Sequence, residues 1–235
     1  MNEMQPQWPR GYKILPRVGT LTAELVAGFA GVPTAHAGDC LGRSVGAIGL
    51  RPFHGDGHMC GIAVTVRCRP GDNLMIHKAL ELTQAGDVVV IDGAGDLTQA
   101  VVGGLMRTTA LVRKLGGLVI DGAVRDIAEF AEGGLPCYAK GVTHRGPSKD
   151  GPGEVNVPIV CAGMVVHPGD LMLGDADGVI AIPAAEAAAL LPQVRAHAAL
   201  EERMREAILA GSTDPDRFDS ILRGKGVPGA LLGKP

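Results

Sequence analysis

Hydrophobic positions recur along this chain with two periods. Within residues 61–68, Ile62, Val64 and Val66 alternate with Ala63, Thr65 and Arg67, the two-residue repeat of a half-buried strand. The pattern reads as β from residue 41 to 70, with Asp56-Gly57 as a turn inside it. Residues 20–29 and 73–84 carry the helical period. Gly86-Asp87 ends the second helix, and Val88 to Ile91 is a short apolar run of the kind that forms a buried strand.

Residues 97–115 also read as helix, but Gly103-Gly104 sits inside, and each glycine costs a helix interior roughly 1 kcal/mol. The main helix is therefore placed from that pair onward, closed by Gly116-Gly117. Residues 118–120 form the next buried strand, and a short helix starts at Asp126. Strand patterns return at 136–143, 156–166 and 178–183, around a polar, glycine-rich and exposed loop at 144–154. A final helix runs from about 184 to 209, with Glu201, Glu202, Arg203, Arg205 and Glu206 at its end. Such a charged face suits a surface or a neighbouring subunit. The alternation of strands and helices implies an α/β core in a single domain.

Composition narrows the function classes. With 22 Lys and Arg against 25 Asp and Glu, the formal charge is −3, and no basic field exists to hold a phosphate backbone. The aromatic residues, Trp8, Tyr12, Phe29, Phe53, Phe130, Tyr138 and Phe218, are too scattered for a base-stacking platform. Nucleic acid is not an expected partner, and no apolar run is long enough to span a membrane. Cys40, Cys60, Cys68, Cys137 and Cys161 are odd in number with no C-x-x-C pair, which points to reduced thiols and a cytoplasmic protein. Residues 1–13 lack the apolar core of a signal peptide.

Several constellations could carry chemistry. Gly93-x-Gly95-x-x-Thr98 after a strand approaches a dinucleotide fingerprint, but Thr98 replaces the third glycine and Asp121 stands too far on, so a plain strand-to-helix turn is expected. His54 and His58 flank an Asp-Gly turn, which favours loop histidines over a metal pair. His77 lies on a helix face with Asn73, more as support than as a ligand. The informative segment is Gly122-Ala123-Val124-Arg125-Asp126-Ile127-Ala128-Glu129. Arg125 offers a planar fork for a carboxylate or enolate oxygen, and Asp126 and Glu129 offer oxygen ligands for a hard divalent cation. The same Asp-x-x-Glu is also a helix capping box. Against a cap alone stands a second helix start at Gly103-Gly104, whose N–H groups suit an anion, also at a strand end of the same core.

Gly104 and the Arg125-Asp126-x-x-Glu129 set, with twenty residues between Gly104 and Arg125, resemble the motif of the RraA-like pyruvate aldolases. These include the 4-hydroxy-4-methyl-2-oxoglutarate and 4-carboxy-4-hydroxy-2-oxoadipate aldolases. The resemblance spans residues 20–210, leaving 1–19 as an N-terminal arm and 211–235 as a C-terminal extension. It implies a swivelling-type β/β/α sandwich assembled as a homotrimer or homohexamer. It also implies Mg²⁺ or Mn²⁺ at Asp126, with Glu129 supporting the metal through its water shell. Arg125 is implied to bind the 2-oxo acid and stabilise its enolate, and the amides of Leu105 and Met106, just after Gly104, to hold the carboxylate. Glu201 or Glu202 of a neighbouring subunit would approach the metal. The implied activity is retro-aldol cleavage with oxaloacetate decarboxylation alongside. The alternative implied by the family's namesake is a non-catalytic, protein-binding regulator of a ribonuclease.

Overall fold

The computed structural model describes residues 8–214 and 216–229, so parts of the expected arm and extension lie outside the described residues. The chain divides into two compact units, one up to Val194 and one from Arg195 onward. The first contains β1 (Tyr12–Ile14), α1 (Ala23–Gly28), α2 (Thr34–Cys40), β2 (Arg51–Pro52), β3 (Met59–Cys68), α3 (Leu74–Leu82), β4 (Asp87–Val102), α4 (Gly104–Val112) and β5 (Gly117–Val124). After these come α5 (Ile127–Ala131), β6 (Cys137–Val142), β7 (Gly153–Val155), β8 (Ile159–Cys161), β9 (Met164–Val166), β10 (Leu171–Asp175) and β11 (Gly178–Ile182). Helix α6 (Ala184–Leu209) begins in the first unit and ends in the second, which also holds α7 (Arg217–Gly224).

The main sheet runs β1-β7-β3-β4-β5-β6-β2, with β10 paired to β3 and to β11. Strands β3, β4, β5 and β6 are mutually parallel and are joined through α3, α4 and α5. Period two sorts their side chains: Val89, Ile91, Leu118, Ile120, Cys137 and Ala139 pack under the helices with Met75, Ile76, Met106 and Phe130. Val88, Val90, Val119 and Tyr138 face the other way, onto Ile159, Cys161, Met164 and Val166 of the β8–β9 ribbon. Helices cover one face and a β-ribbon the other, a mixed α/β arrangement of β on β on α. A third cluster packs Ala187, Leu190 and Val194 of α6, with Phe29, onto β10 and β11.

Three local readings are corrected. Residues 97–102 are strand, because β4 continues past an irregularity and pairs Ala100 and Val102 with Ala123 and Val124 of β5. Gly93-x-Gly95 is therefore a kink inside a strand, with Ala94 and Gly95 at positive φ, and no helix follows it. Helix α4 is closed not by Gly116-Gly117 but by Lys114 at φ 56°, while Leu115 N–H bonds back to Ala110 O at 3.0 Å. Gly117 already belongs to β5, pressed on Met59 where a Cβ would come within 2.5 Å of its sulfur. Strand β10, Leu-Met-Leu-Gly-Asp, is buried throughout and carries no alternation to reveal it.

Candidate active site

Because β3 to β6 run parallel, the segments following them collect at the carboxyl ends of these strands. Asn73 follows β3, Gly103-Gly104 follows β4, Arg125-Asp126 follows β5, and the loop carrying Lys149 follows β6. Residues from all four segments line one cleft of about 120 Å³, among them Asn73, His77, Leu105, Arg125, Asp126 and Lys149.

Asp126 is the pivot. It precedes α5 at φ 59°, ψ 38°, a left-handed conformation that costs a non-glycine residue about 1 kcal/mol, and its side chain does not cap its own helix. That overturns the capping-box alternative. The turn sends the carboxylate across to the next helix instead, where Oδ2 accepts the Gly104 N–H at 2.8 Å. An acid thus sits at the N-terminus of α4, where the helix dipole favours negative charge. The Arg125 Nε lies 3.7 Å from the same oxygen, with both side chains about two-fifths exposed.

Gly103 and Gly104 leave the space into which these side chains converge. A Cβ on Gly103 would lie 2.7 Å from Asp126 Oδ2 and 3.0 Å from Arg125 Nε. A Cβ on Gly104 would lie 2.6 Å or less from both oxygens of Glu129. Glu129, in the first turn of α5, therefore brings its carboxylate to the same helix start as Asp126. Of the two amides expected to hold a carboxylate, Met106 N–H turns back to Gly103 O at 3.0 Å, whereas Leu105 N–H has no acceptor among the described residues. Leu105 itself is 87 % exposed at the mouth of the cleft.

Asn73, which also lines the cleft, is 4 % exposed, and its side-chain nitrogen donates to Val101 O at 3.1 Å and to Met106 Sδ at 3.4 Å. Its Oδ1 is buried without a hydrogen-bond partner. The task of capping α3 falls to Asp72, whose Oδ1 accepts Leu74 N–H at 3.0 Å. Asp72 Oδ2 also accepts from Ser148 Oγ at 2.7 Å, Asp150 N–H at 2.7 Å and Gly151 N–H at 3.0 Å, which clamps the loop that carries Lys149. Burial pushes the Asp72 carboxyl up, but these hydrogen bonds outweigh it and leave the group below the usual carboxylate range.

From the sequence Asn73 is legible only as a neighbour of His77 on one helix face, and Asp72 carries no signal beyond that of an Asp before a helix, an ordinary capping residue. Of the cations Arg107, His144, Arg145 and Lys149, Lys149 lines the cleft. Arg107 is buried and donates to Gly133 O at 2.9 Å. His54 is buried with Nδ1 accepting Cys137 N–H at 3.1 Å, a structural contact. Among the described residues no group of three or more His, Cys, Asp or Glu is placed to hold a metal ion. All five cysteines are free, and burial raises the Cys60 thiol to about 11. No helix of the described residues is long and apolar enough to cross a membrane.

Parallel strands whose carboxyl ends bring an acid, a guanidinium and an open helix N-terminus to one cleft define a mixed α/β fold with a converging polar site there. Residues 34–181 match the sequence model of the RraA-like family, described as Aldolase/RraA, and the chain belongs to that family. It is 36 % identical over 186 residues to a Halalkalibacterium halodurans protein provisionally named 4-hydroxy-4-methyl-2-oxoglutarate aldolase, covering 79 % of this chain and 89 % of that one. It is 36 % identical to the 4-hydroxy-4-methyl-2-oxoglutarate aldolase of Thermus thermophilus, over 57 % of this chain and 81 % of that one. Among solved structures, an uncharacterized Pseudomonas syringae protein superposes with a TM-score of 0.74 at 29 % identity, covering 82 % and 96 % of the two chains. Streptomyces coelicolor RraAS2, described as an unusual member of the RNase ES inhibitor RraA family, gives 0.73 at 26 %, covering 79 % and 97 %.

Proposed function

We propose that this chain is a divalent-cation-dependent pyruvate aldolase, a lyase that cleaves a 4-hydroxy-2-oxo diacid or triacid. Its substrate is 4-hydroxy-4-methyl-2-oxoglutarate or 4-carboxy-4-hydroxy-2-oxoadipate, and it decarboxylates oxaloacetate as a side activity. The observation that carries this reading is the left-handed Asp126, which brings its carboxylate to the start of α4 beside Arg125 and Glu129.

The donor set fits the cation. Mg²⁺ is commonly held by one or two carboxylates, its other positions going to water and to substrate oxygens, and Asp126 with Glu129 supplies that number. Asp126 would be the direct ligand, with Glu129 acting through the water shell. When bound, Mg²⁺ or Mn²⁺ supplies Lewis-acid polarisation of the 2-oxo group. Leu105 N–H, with Met106 beside it at the α4 start, holds the pyruvyl carboxylate. Arg125 directs its fork at the keto oxygen, where negative charge grows as the C3–C4 bond breaks. Loss of carbon dioxide from oxaloacetate leaves the same pyruvate enolate against the same arginine.

The wider reading is a cytoplasmic homotrimer or homohexamer in which Glu201 or Glu202 of a neighbouring subunit approaches Asp126. Glu202 here pairs with Arg205 at 3.3 Å along α6. Pyruvate release from both substrates, coupled to lactate dehydrogenase with and without Mg²⁺, tests the assignment alongside Asp126→Ala. Metal-dependent release abolished by the substitution supports it. The likeness to RraAS2 favours a second reading, a protein-binding regulator of a ribonuclease. Release of pyruvate from neither substrate, together with capture of an endoribonuclease, would replace the first reading with the second.

A further inference from the structure

Retro-aldol cleavage needs a base for the C4 hydroxyl, and neither Arg125, a permanent cation, nor the carboxylates assigned to the metal supply one. We propose that His77 takes that proton and that the Asn73 side-chain oxygen supports the imidazolium so formed, an assignment that rests on the aldolase reading above. Both residues line the cleft with Arg125, Asp126 and Leu105, and they stand four apart on one face, His77 N–H bonding to Asn73 O at 3.1 Å.

Three observations converge. The Asn73 amide cannot be turned round, because its nitrogen donates to Val101 O, and a flip would set oxygen against oxygen. Its Oδ1 is thereby a fixed acceptor, buried and unpartnered at the cleft wall, in want of an N–H. The His77 ring is half-buried and has no hydrogen-bond partner among the described residues, so nothing in the resting chain occupies its acceptor nitrogen. Burial and the Lys149 ammonium hold His77 below its ordinary value against the weaker pull of Glu81, so the ring is neutral near neutral pH. A substrate carboxylate on C4 paired with Lys149 offsets that ammonium and restores basicity as the substrate binds.

The step balances. The hydroxyl proton passes to His77, C4–O becomes a carbonyl, the C3–C4 bond breaks, and its electron pair becomes the pyruvate enolate. The enolate then takes one proton at C3 from solvent water, and the imidazolium returns its proton to solvent, so the net proton count is unchanged. Oxaloacetate decarboxylation forms the same enolate with no hydroxyl proton to remove, so the two reactions of one site differ in this base alone.

The experiment compares both rates in the full-length protein carrying His77→Gln or Asn73→Ala, with Mg²⁺. The ratio of aldol cleavage to decarboxylation is expected to fall by about a hundredfold in His77→Gln, and by less in Asn73→Ala. Decarboxylation in the same sample reports that the cleft is intact. A ratio within about twofold of wild type, or an equal fall in both rates, overturns the assignment. If wild-type protein releases pyruvate from neither substrate, the aldolase reading fails first, and the base assignment with it.

Discussion

The carboxylate of Asp126 accepts the N–H of Gly104 at 2.8 Å, joining two helix starts that are 22 residues apart in sequence. One hydrogen bond thus ties the segment after β4 to the segment after β5 at the head of the cleft. It exists because Asp126 takes a left-handed turn that aspartate tolerates better than most residues. An asparagine keeps both the turn and an acceptor oxygen but loses the charge. Asp126→Asn is accordingly expected to melt within about 3 °C of wild type while losing Mg²⁺-stimulated pyruvate release. Calorimetry and the coupled assay on one preparation check this, and retained metal stimulation would remove Asp126 from the metal site.

Gly104→Ala separates the site from the fold. The added methyl meets the far end of Glu129, a side chain that can swing away, so the backbone need not move. Pyruvate release is expected to fall by about tenfold or more, with a Tm loss of only a few degrees. A variant that melts early and keeps its turnover would show that the glycine serves packing instead.

The fold was legible where period and punctuation agree. Val88 to Ile91, the start of α4 at Gly103-Gly104 and the span of α6 each carried a clear signal, and each is found. It was illegible where a strand departs from the pleat: Leu97 to Val102 reads as helix because the kink at Ala94 and Gly95, which lets β4 resume its pairing, is a tertiary effect. The site was half legible. Arg125, Asp126 and Glu129 stand out as charges after a strand, but their convergence on Gly104 depends on a backbone angle that no spacing encodes. Asn73 was visible only as a neighbour of His77 on a helix face, and its orphaned oxygen shows only once Val101 and Met106 are in place.

Arg125→Lys tests whether the fork or the charge matters. The guanidinium spans from Asp126 to Gly146, where a Cβ would lie 3.0 Å from its terminal nitrogen. An ammonium keeps the charge and loses the second donor. Turnover is expected to drop by about a hundredfold, of the order found for loss of one donor to a developing oxyanion, with KM changed less. A lysine variant with wild-type kcat would limit Arg125 to steering.

Acid stability should trace the Asp72 clamp. Its carboxylate is fully buried and accepts four hydrogen bonds, three of them from the loop that holds Lys149 over the cleft. Asp175 is a second such group: burial raises its carboxyl, but Thr34 N–H and Oγ, each at 2.7 Å, and Asp177 N–H bring it below the usual range. A carboxyl depressed in the folded state binds its proton more readily when unfolded. Its contribution is therefore complete above the unfolded value and is lost as pH falls through the folded one. Both groups place that loss below about pH 4. Asp72→Asn is expected to cost about 2 kcal/mol near neutral pH, since hydrogen bonds to a charged acceptor are weakened. It is also expected to flatten the fall in Tm between about pH 4 and pH 2 relative to wild type. Melting curves across that range decide it: parallel curves for the two proteins would mean that the clamp holds the loop by shape and not by charge.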